Sequence, residues 1–140
     1  QRGLAVSLIK HAHHEFDIDH SGKDSHRHRN AGCREVLVTS ARRWAMVHEL
    51  RNEPELTLDQ ALARLSPCDI VLVEGYKQAP IAKIEVWRQE NGKPQLFPND
   101  PHIIAVASNR PVDTMLPQLD LDQPAVIADF IVTTLGVAPA

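Results

Sequence analysis

Cysteine is scarce: only Cys33 and Cys68 occur in 140 residues, and neither stands in a C-x-x-C or zinc-finger spacing. A disulfide framework is thereby excluded, and reduced thiols in a cytoplasm are the simplest reading. No stretch reaches 18 consecutive apolar residues, and the N-terminus lacks the basic-then-apolar order of a signal peptide. The expectation is a cytoplasmic protein with no membrane association. Charge of one sign is lacking too. The formal net charge of -3, with His neutral, gives no general pull toward nucleic acid or anionic lipid. Also missing is a G-x-x-x-x-G-K-[ST] phosphate loop. Gly22-Lys23 comes near it, but Asp17 stands where the first Gly is needed and Asp24 where the Mg²⁺-binding hydroxyl belongs.

What is present is an ordinary globular composition, 43% hydrophobic and 24% charged, in a length that fits one domain with its own core. Gln1-Arg2-Gly3 has no initiator methionine and sets a Gly before an apolar run, as if closing a helix upstream, so the chain reads as beginning mid-fold. Leu4 to Ile9 is a nearly continuous apolar strand of the kind covered on both faces in a parallel sheet. A polar loop follows to Lys23. Asp24 or Ser25 is placed to cap a short helix ended by Gly32. Glu35 to Ser40 and Trp44 to Leu50 read as strands joined by Arg42-Arg43. Thr57 and Gln60 form a capping-box pair before a helix with Leu58, Ala61, Leu62 and Leu65 at helical spacing, which packs one face on a sheet.

Asp69 to Gly75 is the clearest strand and reads as central: an aliphatic run closed by Glu74 and Gly75. Ile81 to Arg88 alternates apolar and polar residues, and Asn91-Gly92 signals a hairpin returning through Gln95 to Phe97. That ribbon would need another subunit or the sheet to pack against, which makes a homodimer the expectation. Lys77, Lys83 and Arg88 beside it read as exposed charges. Trp44 and Trp87 read as core or interface residues. His102 to Ala107 is a second buried strand. Val126, Ile127, Phe130 and Ile131 share one face of a last helix ended by Gly136. Alternating strands and helices with long crossovers favour an α/β three-layer, mostly parallel fold.

Open parallel sheets bind ligands beyond the carboxyl ends of their strands, which collects the loops after Ile9, after Val73 and after Ala107. An apolar strand delivering Glu74 and then Gly75 has the form of a Walker B segment: the carboxylate orients Mg²⁺ or its water, and the glycine lets backbone approach a phosphate. The bland alternative is any buried strand that happens to end in an acid. Asp17, Asp19, Asp24 and Ser25 are hard-cation oxygen ligands in a loop that would fold over a Mg-nucleotide; equally, they serve as turn and capping residues. Of eight histidines, five fall between His11 and His26. His11, His13, His14 and His20 could hold Zn²⁺, Ni²⁺ or Cu²⁺, or meet a phosphate or a partner, and their spacing decides none of these. His26 and His28 point to different faces of the predicted helix.

The stretch Leu8 to Asp19, the Gly22-Lys23-Asp24-Ser25 run, Ala31-Gly32, Asp69 to Lys77, Ile81 to Ile84 and Ile104 to Ser108 together resemble the MobB family, in the same order and at similar spacing. The resemblance implies a P-loop-NTPase-like fold, GTP and Mg²⁺ binding, weak GTPase activity at most, and a homodimer. It also implies partnership with the guanylyltransferase that attaches GMP to molybdopterin, and contact with molybdenum-insertion proteins. Carried over, Glu74 and Gly75 would sit at the Mg²⁺ and terminal phosphate, and Asp17, Asp19 and Asp24 in a switch-like loop. Lys10, His11, Ser25 and Lys77 join them as nucleotide-binding candidates, and Asn109 lies beside the base where the family's pattern calls for Asp. The family's first strand, Gly-rich loop and following helix are not among these residues. The expectation is therefore a single domain over 1–140, truncated at its N-terminus, with GTP binding impaired. The competing reading is a His-rich transition-metal-binding protein on a degenerate P-loop-type fold.

Overall fold

The computed structural model describes residues 3–12 and 16–138. Gln1, Arg2, His13 and His14 lie outside them, while Gly3, read as the cap of an upstream helix, is described at φ 71°. Along the chain come β1 (Val6–Lys10), α1 (Asp24–Asn30), β2 (Glu35–Thr39), β3 (Trp44–His48), α2 (Leu58–Leu62) and β4 (Ile70–Glu74). After them come β5 (Lys83–Trp87), β6 (Ile103–Ser108), β7 (Gln118–Asp120) and α3 (Pro124–Leu135). β1 pairs with β4, and the bonds Asp69 N–H to Ala5 C=O and His11 N–H to Glu74 C=O give the two strands one direction. The chain divides into two compact units, one of Gln1–Ser7, Pro67–Val71 and Lys77–Ala140, the other of Leu8–Ser66 and Leu72–Tyr76.

The first unit holds the three-stranded sheet β5-β6-β7, parallel throughout. β6 lies in the middle because its run of small and β-branched residues suits a strand covered on both faces: Ala105, Val106, Ala107 and Ser108 are all buried. Ile84, Leu119, Leu121, Ile127 and Phe130 pack around Ala105 and Ala107, the last two presented by α3. Pro124 starts that helix with a φ already helical, and Gly136 ends it in the left-handed conformation, as the sequence indicates.

The expected hairpin after β5 is corrected here. Gly92 does turn the chain, at φ 60°, but no return strand forms, and β5 pairs in parallel with β6 instead. Pro94 has no amide hydrogen to give a ladder, and side chains do the anchoring. The buried Glu85 carboxylate accepts from the Leu96 and Phe97 N–H groups at 2.7 and 2.9 Å, while the Trp87 indole donates to the Lys93 carbonyl. The exposed-charge reading of Lys83 is corrected too: its ammonium lies 2.6 Å from Asp100 and donates to the Lys77 and Ala79 carbonyls. The short β7, following Pro117, was not visible in the sequence pattern.

In the second unit β2 and β3 form the antiparallel ribbon read from the sequence, with Leu37 opposite Met46 and Thr39 opposite Trp44. Thr57 and Gln60 close the capping box of α2, although Leu62 stays exposed and no residue of this helix is buried. At α1, Lys23 takes the cap position without a side-chain bond, so neither Asp24 nor Ser25 caps the helix. β1 is covered on one face only, since Val6 and Leu8 are exposed, and among the described residues β4 has β1 as its sole strand partner rather than being central.

Glu85→Ala would strand two backbone donors and should lower unfolding stability by about 3 kcal/mol in urea titrations. A change of a few tenths would mean those amides find other partners.

Candidate functional site

In the second unit the carboxyl ends of β1 and β4 meet through one backbone bond, His11 N–H to Glu74 C=O at 2.8 Å. This bond sets Lys10 beside Glu74, and their side chains pair at 2.9 Å with about 60% of each exposed. An ion pair so open to water contributes little, roughly 0–1 kcal/mol, so either partner is available to another ion.

Gly75 follows at φ 95°, a conformation L side chains rarely adopt. A Cβ built there would lie 2.6 Å from the His11 Cβ and 3.2 Å from its carbonyl oxygen. The requirement for glycine is therefore double: backbone conformation and space. Tyr76 continues the turn at φ 46°, unusual for a bulky residue and held by two contacts. Its ring lies 4.7 Å from the His11 ring, and its hydroxyl donates to the Leu56 carbonyl at 3.0 Å. His11 Nε2 in turn bonds the Glu55 carboxylate at 2.6 Å. These side chains border a cavity of about 390 Å³ whose wall also includes Lys10, Arg64 and Phe16.

Within the same unit, the acidic loop is organised by Arg29. Its guanidinium, 9% exposed, reaches Asp17 at 2.6 Å, Asp19 at 3.5 Å and Glu49 at 3.1 Å. The Asp19 backbone N–H, and after it Arg29, hold the Asp17 carboxyl below its ordinary range. Asp19 accepts the Ser25 hydroxyl at 2.8 Å, while Asp24 is exposed at the start of α1. Hence two of the three carboxylates proposed for a metal are engaged by an internal cation. Among the described residues no three His, Cys, Asp or Glu side chains converge as a metal cluster.

Lys77 and Asn109 belong to the other unit. Lys77 is exposed and offers its carbonyl to Lys83. Asn109 follows β6 at the edge of a cleft of about 380 Å³. Sequence reasoning missed Arg29, Glu55 and Tyr76. Only Tyr76 carried a signal, its place directly after Glu74-Gly75.

The α/β chain, with its parallel strand pair ending in lysine, carboxylate and left-handed glycine, has a P-loop-type fold. Residues 1–109 match the family described as "Molybdopterin guanine dinucleotide synthesis protein B". The chain is 42% identical over 134 residues to the molybdopterin-guanine dinucleotide biosynthesis adapter protein of Escherichia coli (strain K12), covering 94% of this chain and 77% of that one. It is 43% identical over 131 residues to the adapter protein of the same description from Haemophilus influenzae, at 93% and 72% coverage. The crystal structure of a molybdopterin-guanine biosynthesis protein B superposes with a TM-score of 0.72 at 27% identity, covering 97% of this chain and 82% of that one. The chain belongs to the MobB family. No helix among the described residues is long and apolar enough to cross a membrane.

Gly75→Ala should destabilise the fold by about 2 kcal/mol, from positive φ and the clash with His11 together, read as a lowered midpoint in denaturant. An unchanged midpoint would mean that His11 gives way without cost. The depressed Asp17 pKa means stabilisation present above the ordinary carboxylate range and lost as pH falls through the folded value. Below about pH 4 the wild type should therefore lose stability more steeply than Asp17→Asn, compared by thermal melts from pH 7 to 2. Parallel acid limbs would remove Asp17 from the account.

Proposed function

We propose that this protein is a GTP-binding adapter in molybdopterin-guanine dinucleotide biosynthesis, assisting the guanylyltransferase that joins GMP to molybdopterin. The observation that carries the reading is the strand end at which Lys10, Glu74 and Gly75 converge. Lysine and an exposed carboxylate at the carboxyl end of parallel strands, beside a glycine turn that lets His11 pack close, suit a phosphate and its Mg²⁺. Membership of the MobB family and the descriptions of the two bacterial relatives support the pathway.

Glu74 fits the metal as an outer carboxylate that orients bound water, and Mg²⁺ there would neutralise phosphate charge. Asp17 and Asp19 fit only if they exchange Arg29 for the ion, which would make the loop through Asp24 and Ser25 responsive to nucleotide. His11 serves as a positioning residue between Gly75 and Glu55. No catalytic base is assigned, and turnover is weak at most. The protein works in the cytoplasm and contacts molybdenum-insertion proteins. It does so as a homodimer, a reading supported by the exposed Leu37, Trp44 and Met46 on one face of the β2-β3 ribbon.

Glu74→Gln should weaken GTP binding by about tenfold in Mg²⁺ and leave the residual binding in EDTA unchanged, measured by calorimetry on the natively encoded protein. Equal losses in both buffers, or no GTP binding by the wild type, would remove the strand end as the nucleotide site.

A further inference from the structure

Arg29 reaches from α1 to two separate stretches of the second unit. Its Nη2 donates to Asp17 in the acidic loop at 2.6 Å, and its Nη1 donates to Glu49, just beyond β3, at 3.1 Å. A guanidinium is planar and its donors stand at fixed angles, so a turn that follows one carboxylate moves the donor aimed at the other. The third corner is slack. Nε is buried without a hydrogen-bond partner, 3.5 Å from Asp19, so the group cannot improve that corner without giving up a bond at another.

Glu49 is where the base of the β2-β3 ribbon is fastened. Beyond the last strand pair, Glu35 with His48, the Glu49 N–H donates to the Arg34 carbonyl at 2.9 Å and closes that end of the ribbon. The other half of the same rung follows α1 through the backbone: the Gly32 N–H donates to the Arg29 carbonyl at 3.0 Å, the Cys33 N–H donates to the His28 carbonyl at 3.1 Å, and Arg34 then leads into β2. Arg29 thus touches both sides of the rung, one by its main chain and one by its side chain. Withdrawing Asp17 leaves a guanidinium that is 9% exposed facing too little negative charge, and a buried cation short of partners is driven toward water. Moving out takes Nη1 away from Glu49.

We infer that Arg29 is a coupling residue, which transmits the state of the acidic loop at Asp17 and Asp19 to the Glu49–Arg34 rung at the base of the β2-β3 ribbon. The coupling stands on the geometry of the second unit alone. Its regulatory use rests on the GTP reading above: Mg²⁺ that draws Asp17 from Arg29 loosens the ribbon base, and with it the ribbon on which the second copy is proposed to sit. Nucleotide would in this way be felt at a surface it does not touch.

The test is amide hydrogen exchange on the ¹⁵N-labelled, natively encoded protein, read at Glu49 and, as a control in the first unit, at Val106, whose N–H donates to the Pro117 carbonyl. Asp17→Asn removes the charge but keeps the shape, and should speed exchange at residue 49 by about fivefold while leaving Val106 unchanged. In a Glu49→Ala background, where the side-chain link is already cut, the same Asp17→Asn change should have no effect on that amide. Arg29→Lys keeps the charge and gives up the planar fork, and should uncouple the two sites as Glu49→Ala does. The inference is overturned if Asp17→Asn acts equally with and without Glu49→Ala, if it leaves residue 49 unchanged, or if Val106 accelerates in step. A last arm adds GTP with Mg²⁺ to the wild type, which should speed the Glu49 amide as Asp17→Asn does. GTP that binds by calorimetry and leaves the rung unchanged would strike Asp17 from the metal, while the coupling shown by the variants stands.

Discussion

The second unit depends on the close approach of His11 to Gly75. One strand turns back over the end of the other with no room for a methyl group between them, and the contact decides what both neighbours do. Lys10 and Glu74 are brought side by side because the backbone bond one residue away fixes the register of the strand ends. Tyr76 accepts a strained conformation because its ring has the His11 ring to lie on, and Glu55 is reached by the far side of the same imidazole. A glycine chosen for conformation alone would tolerate alternatives such as Asn; one that also clears space does not.

Arg29 plays the corresponding part for the acidic loop. Burying a guanidinium is costly unless opposite charge surrounds it, and here three carboxylates from two stretches of the chain do so, Asp17 and Glu49 through hydrogen bonds and Asp19 by charge at 3.5 Å. The loop is consequently held by a cation the protein carries itself. This explains why residues with the chemistry of metal ligands form no metal cluster among the described residues.

Much of this was legible from residue order. The capping box at Thr57, the ribbon of β2 and β3, the buried β6 and the left-handed Gly136 are all local, each written within a few consecutive residues. The Glu74-Gly75 strand end was legible for the same reason. The errors have a common cause in long-range partners. Asn91-Gly92 does turn the chain, but whether a strand follows was settled by Glu85, which takes the amides a returning strand would have used. Lys83 reads as a surface charge until Asp100, distant in sequence, closes on it. Ser25 looks like a helix cap but bonds Asp19 instead. The roles of Glu55 and Arg29 were beyond reach because no spacing rule connects them to their partners.

Tyr76 is the chain's single tyrosine, and it stands at the most constrained turn of the second unit, against the His11 ring. A phenol-specific label therefore reports from one known place without background from elsewhere. Replacing tyrosine with its fluorinated analogue would yield one resonance whose ring-current environment is the imidazole. Spectroscopy of this turn needs no engineered reporter and no assignment of the remaining chain.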